Sequence, residues 1–135
     1  MKLKHGLICL LLFSNASYAH PLTDKVNEYF QAQKAVEHKN STETDVAKLL
    51  SLLTMDATFE HPSFDAVQSK SEYEKGLLYY LGKYGKCDIK VLNIIEGLNA
   101  VTVEYLPPCI DQDGKAELEG NRQKLVTLFE FEDEK

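Results

Sequence analysis

MDATFEHP, residues 55 to 62, marks the place where an apolar helical pattern gives way to a short strand that a proline stops. Before it, Val46, Leu49, Leu50 and Leu53 recur at helical spacing, and either Thr42 or Thr44 is placed to cap that helix. Met55 and Asp56 end it. The strand then presents one histidine, His61, where helix and sheet should meet. After it, residues 64 to 70 read as loop. Ser71 and Glu74 have capping-box spacing and open a third helix, with Tyr73, Leu77, Leu78, Leu81 and Tyr84 on its apolar face. Gly82 and Gly85 let the chain leave the helical conformation.

Upstream, Thr23 and Asp24 read as the start of a first helix whose Val26, Tyr29, Phe30, Gln33 and Val36 share a face. Lys25, Glu28, Lys34 and Glu37 fall on the other side, so this helix covers a core. Residues 1 to 19 have the form of a signal peptide: Lys2 and Lys4, an apolar run over 6 to 13, then Ser17-Tyr18-Ala19. The apolar run is far shorter than the roughly 20 residues that span a bilayer. The expected mature chain, 20 to 135, is exported to the periplasm or secreted and holds no membrane segment.

Cleavage would remove Lys2 and Lys4 and take the formal charge two units below −6, which argues against nucleic acid as a partner. It would also remove Cys9 and leave Cys87 and Cys109 as an even pair in an oxidising compartment.

Downstream the period changes to two. Ile89, Val91, Asn93 and Ile95 lie on one side of a strand, Gly97-Leu98-Asn99 is turn chemistry, and Val101, Val103 and Tyr105 lie on one side of the next. With that turn as the loop, Ile95 faces Val101, Asn93 faces Val103, Val91 faces Tyr105 and Cys87 faces Cys109. Directly opposed residues of an antiparallel pair lie within disulfide reach, so a Cys87–Cys109 bond is expected. Pro107-Pro108 is the weak point of that ladder. Asp111-Gln112-Asp113-Gly114 begins like a calcium loop, but Arg122 stands where the terminal glutamate should be, so it reads as a hairpin turn. A long segment from 115 to 131 follows, ending in the alternation Leu125, Thr127, Phe129, Phe131.

Two helices, a strand, a third helix and a meander of long strands resemble the nuclear transport factor two-like superfamily, which includes the SnoaL-like domains and the steroid isomerases. DATFEHP is similar to the D-A-T-x-E-D-P of the isomerases, and SEYEKGLLYYLGKY follows at the expected distance. The resemblance implies an α+β cone, three N-terminal helices packed in a strongly curved, mostly antiparallel sheet, with an apolar pocket open at one end. It also implies a further last strand, and Lys135 lies near where the turn into it is expected, so either the sequence is truncated or one sheet edge is open. His61 stands at the position of the isomerases' proton-moving aspartate, and Thr127 on or near that of their oxyanion-binding aspartate, so steroid isomerase activity itself is not expected.

His61 is therefore the candidate catalytic residue, since imidazole can act as both base and acid without a cofactor. The bland alternative is a structural histidine at a strand end. Tyr29, Gln33, Asn93, Tyr105, Gln123 and Thr127 are the candidate ligand-binding residues, and a one-residue slip in the last strand would turn Gln123 and Thr127 outward. No metal site is expected, because His20, which could chelate copper through its amine and imidazole, has no further ligands at suitable spacing. Two functions compete. The chain is a pocket domain for a small, largely apolar organic molecule, with His61 available for isomerase, dehydratase or hydrolase chemistry. Alternatively the pocket is vestigial and the chain is a binding module, a homodimer through its sheet face.

Overall fold

The computed structural model describes residues 21–112, 115–116 and 122–132. The expected signal peptide, Cys9 and His20 lie outside them, as do Asp113 and Gly114 of the expected turn. The elements are α1 (Pro21–Val36), α2 (Glu43–Ser51), β1 (Thr58–His61), a 3-10 turn (Pro62–Phe64), β2 (Ala66–Ser69), α3 (Lys70–Tyr80), β3 (Lys90–Glu96), β4 (Ala100–Leu106), β5 (Asp111–Gln112), β6 (Lys115–Ala116) and β7 (Leu125–Glu130). The strands pair antiparallel in three sheets, β1-β2, β3-β4-β7 and β5-β6, rather than in one.

Leu22, Val26, Tyr29, Phe30 and Val36 recur every three or four residues of α1 and are buried, which packs the helix on α2 and across β3 and β4. Val46, Leu49 and Leu50 of α2, Leu77 of α3 and Val101 and Val103 of β4 complete the core. Each contributes on the order of 1.5–3 kcal/mol by leaving water. The first turn of α1 is tied to the end of β3, because the Glu96 carboxylate accepts from both the backbone N–H of Thr23, at 2.8 Å, and its hydroxyl. Thr23 thus lies inside the helix and a distant carboxylate satisfies one of its free amide groups. Thr42, not Thr44, caps α2, and its N–H and hydroxyl both reach Asp45 at 2.8 Å.

Residues 64 to 70 are not a loop. Pro62 sets the first turn of a 3-10 segment, Asp65 takes the left-handed conformation at φ 47°, and the chain returns as β2 against β1, with Thr58 opposite Ser69 and His61 opposite Ala66. The S-x-x-E spacing occurs twice here, and the working capping box is Ser69 with Glu72, not Ser71 with Glu74. The Ser69 hydroxyl accepts from the Glu72 amide at 3.4 Å while the Glu72 carboxylate takes the Ser69 N–H at 2.8 Å. In a thermal melt, Ser69→Ala should lower Tm and Ser71→Ala should leave it unchanged; the opposite ranking would restore the downstream box. Helix α3 stops at Tyr80, Gly82 turns the chain at φ 74°, and Leu78 lies outside the buried face while Leu77 lies in it.

The β3-β4 pair starts in the expected register and leaves it. Val91 faces Tyr105 and Lys90 faces Leu106, but a bulge at Leu92 shifts the rest by one, so that Asn93 faces Glu104, Ile94 faces Val103 and Glu96 faces Val101. Beyond the bulge Ile94 packs inward, and Asn93 and Ile95 are exposed. On the far side of β4, Val103 faces Thr127 and Val101 faces Phe129 of β7. That parity sends Phe129 inward and leaves Val126 and Leu128 exposed on the outer face with Ile95.

The cysteine end of the ladder holds. Cys87 and Cys109 are disulfide-bonded with their Cα atoms 5.1 Å apart, and the Cys109 N–H donates to the Cys87 carbonyl at 3.0 Å. Pro107 and Pro108 are accommodated because regular pairing ends at Leu106, and the Arg122 guanidinium donates to the carbonyls of Pro107 and Asp88 instead. Gly85 lies hard against Cys109: its N–H reaches the Cys109 carbonyl at 2.6 Å, and a Cβ there would meet the Cys109 Cβ at 3.2 Å.

Candidate functional site

Tyr29, Gln33 and Glu37 stand four residues apart, so the helical period puts them on one stripe at the end of α1. Tyr29 is buried and its hydroxyl lies 2.9 Å from that of Tyr73 on α3. Tyr73 in turn stacks on Phe59 of β1 at 3.7 Å. From the sheet side, Phe129 meets the Tyr29 ring edge-on at 5.1 Å, and Tyr105 meets Phe30 at 5.2 Å. The Thr127 hydroxyl donates to that of Tyr105 over 3.4 Å. Four elements thus place phenolic hydroxyls and ring faces around the inward side of α1.

Glu37 is the charged member. Gln33 donates through Nε2 to its Oε1 at 2.9 Å, whereas its Oε2 has no hydrogen-bond partner among the described residues and no contact with solvent. Burial raises the Glu37 pKa from an ordinary 4.5 to about 7, with the Gln33 hydrogen bond opposing the rise. Its field is felt at Tyr29, Tyr73, Tyr84 and Tyr105, whose own pKa values are raised chiefly by burial. Tyr73 is pushed up to about 12. Near neutral pH the cluster therefore holds one carboxyl that exchanges a proton and several phenols that keep theirs. It can take up a proton, present hydroxyl donors, or pair its carboxylate with an incoming donor or cation.

Of the residues picked from sequence, Tyr29, Gln33, Tyr105 and Thr127 are part of this arrangement. Asn93 is not, because the bulge at Leu92 turns it outward, and Gln123 is exposed ahead of the first β7 residue. His61 is exposed at the end of β1, and as the residue before the 3-10 turn it makes no side-chain cap bond. The chain leaves the strand at Pro62, so His61 meets solvent rather than the cavity expected for it. Glu37 escaped the sequence reading because it was grouped with the charged face of α1. Its spacing from Tyr29 and Gln33 was the available signal. Tyr73 and Tyr84 read from sequence as part of an apolar helix face; the Tyr73 hydroxyl meets that of Tyr29, and both tyrosines lie in the field of Glu37.

An open cleft of about 410 Å³ lies on another side of α1, lined by residues that include Lys34, His38 and Asp45. Lys34 is already paired with Asp88 at 2.9 Å. Among the described residues no group of three or more His, Cys, Asp or Glu side chains is placed to hold a metal ion.

No protein-family model matches the chain, and no curated protein matches it. A solved structure does: a hypothetical protein with ketosteroid isomerase-like protein fold from Catenulispora acidiphila DSM 44928, in complex with trimethylamine. The two superpose with a TM-score of 0.50 at 14% identity, over 79% of this chain and 78% of that one. This chain has a ketosteroid isomerase-like fold. The mixed architecture expected from MDATFEHP and its flanking helices is therefore present, three helices with antiparallel strands. Within this ketosteroid isomerase-like chain the roles of Glu37 and the tyrosines rest on their own geometry.

Proposed function

We propose that this chain is a small-molecule-binding domain whose site is the cluster of Glu37, Gln33, Tyr29, Tyr73 and Tyr105. The observation that carries the reading is Glu37 Oε2, a carboxylate oxygen shut off from solvent and with no hydrogen-bond partner among the described residues. Buried polar atoms are normally paired, and leaving one unpaired costs about 1–3 kcal/mol, more for a charge. A ligand that supplies the missing partner explains why the position holds a carboxyl at all. The fold neighbour is in complex with trimethylamine, which supports the small-molecule reading.

In this reading the ligand is small and largely apolar, lies against the aromatic rings, and places one polar group at Glu37. Proton transfer, if the domain is catalytic, belongs to Glu37 rather than to His61, because a carboxyl titrating near neutrality can serve as base in one step and acid in the next. Tyr29, Tyr73 and Tyr105 hold their protons and act as donors. Export remains part of the proposal, and the Cys87–Cys109 bond supports an oxidising compartment.

Titration of ¹⁵N-labelled protein with phenol, cyclohexanol and trimethylammonium chloride tests the site. Binding should shift the amide signals of Gln33, Glu37, Tyr73 and Tyr105. Shifts confined to residues 58 to 69, or none at the cluster with any of the three, would overturn the assignment.

A further inference from the structure

We infer that the ligand of the Glu37 cluster is a small organic cation of the alkylammonium class, an assignment that rests on the small-molecule reading above and adds its charge. Glu37 Oε1 is held by a neutral amide, Gln33 Nε2 at 2.9 Å, and its Oε2 by no group among the described residues. Among the described residues no lysine, arginine or histidine offsets the burial of Glu37, and the Gln33 hydrogen bond alone opposes it. A neutral guest would leave that charge uncompensated, and an anionic guest would meet repulsion.

The aromatic surroundings have a complementary property. Tyr29, Tyr73, Tyr84 and Tyr105 are close enough to Glu37 to feel its charge, and Phe30, Phe59 and Phe129 pack directly on these tyrosines. Aromatic faces carry negative potential and attract cations, most of all cations with greasy substituents that hydrogen-bond poorly. A single carboxylate set among tyrosines is the surrounding that recognises such an ion. Gln33 and Glu37 are each half-buried, so parts of both residues reach the surface. The formal charge of −6 favours the approach of cations over anions.

Choline and 3,3-dimethyl-1-butanol form the test, because they share shape and differ by the charge on one atom. By calorimetry at pH 8 choline should bind at least about tenfold more tightly than the alcohol. That preference should vanish at pH 5, where Glu37 is protonated, and in Glu37→Gln at pH 8, whose folding is checked by circular dichroism. The pH 5 arm uses the unaltered protein and does not depend on the variant. Equal or tighter binding of the alcohol at pH 8 would overturn the cation assignment and leave the small-molecule reading standing. Failure of both compounds to bind would overturn both. Choline binding undiminished in Glu37→Gln would move the cation away from this carboxylate and overturn the assignment.

Discussion

Glu37→Gln should stabilise the domain by about 3 kcal/mol at pH 8 and by less than about 1 kcal/mol at pH 5. The folded pKa of about 7 stands above the ordinary 4.5, so between those values the folded chain holds a proton that the unfolded chain has lost. Stability from this group is therefore present below about pH 4.5, declines as the pH rises through 7, and is absent above it. At pH 8 the native protein keeps a buried charge that the glutamine removes, while the amide keeps the shape and the acceptor for Gln33. Urea unfolding at both pH values reads the difference between the two proteins, in which the contributions of other carboxylates cancel. A variant less stable than the parent at pH 8 would mean that the carboxylate already has a partner in the folded chain. Retention of a destabilising charge is the usual mark of a site kept for function.

Loss of the disulfide should have the largest effect on the fold. The bond closes a loop with a sequence separation of 22 between the chain entering β3 and the chain leaving β4. Opening it returns that loop's freedom to the unfolded state, worth about 3 kcal/mol. Cys109 is 1% exposed, so the replacement must also fill its space, which favours alanine over a polar residue at 109. The Cys87→Ala/Cys109→Ala protein should unfold at a clearly lower urea midpoint than the oxidised parent. Equal midpoints would show that the β3-β4 ladder holds these residues together without the bond.

What could be read from the sequence follows the length over which a pattern persists. The stripes of α1 and α2 repeat over several turns, and the β3-β4 hairpin has alternation on both sides of a glycine turn, so element order and the Cys87–Cys109 pairing were legible. The bulge was not, because Leu92 and Ile94 are as apolar as their neighbours and fit either parity. The result was a register correct at Val91 and Cys87 and one residue off at Asn93 and Ile95. The β1-β2 hairpin escaped because its strands are four residues each and its turn uses Asp65 in the left-handed region where glycine would have signalled it. His61 was given its role by sequence position relative to a proline, which says nothing about how far the strand end stands from the packed interior. Glu37 failed in the opposite direction: a charged side chain at the end of an amphipathic helix is ordinarily solvated, and only the third dimension brings four tyrosines to it.

Glu37 is a half-buried residue whose Oε2 lacks a partner among the described residues, and on the proposal above a ligand meets it there. A ¹³C NMR titration of the Glu37 side-chain carboxyl in the folded protein tests it most directly. The account predicts a midpoint near 7. A midpoint near the ordinary carboxylate value of 4.5 would contradict it, since Glu37 would then be solvated or already paired, and no vacancy would remain for a ligand to fill.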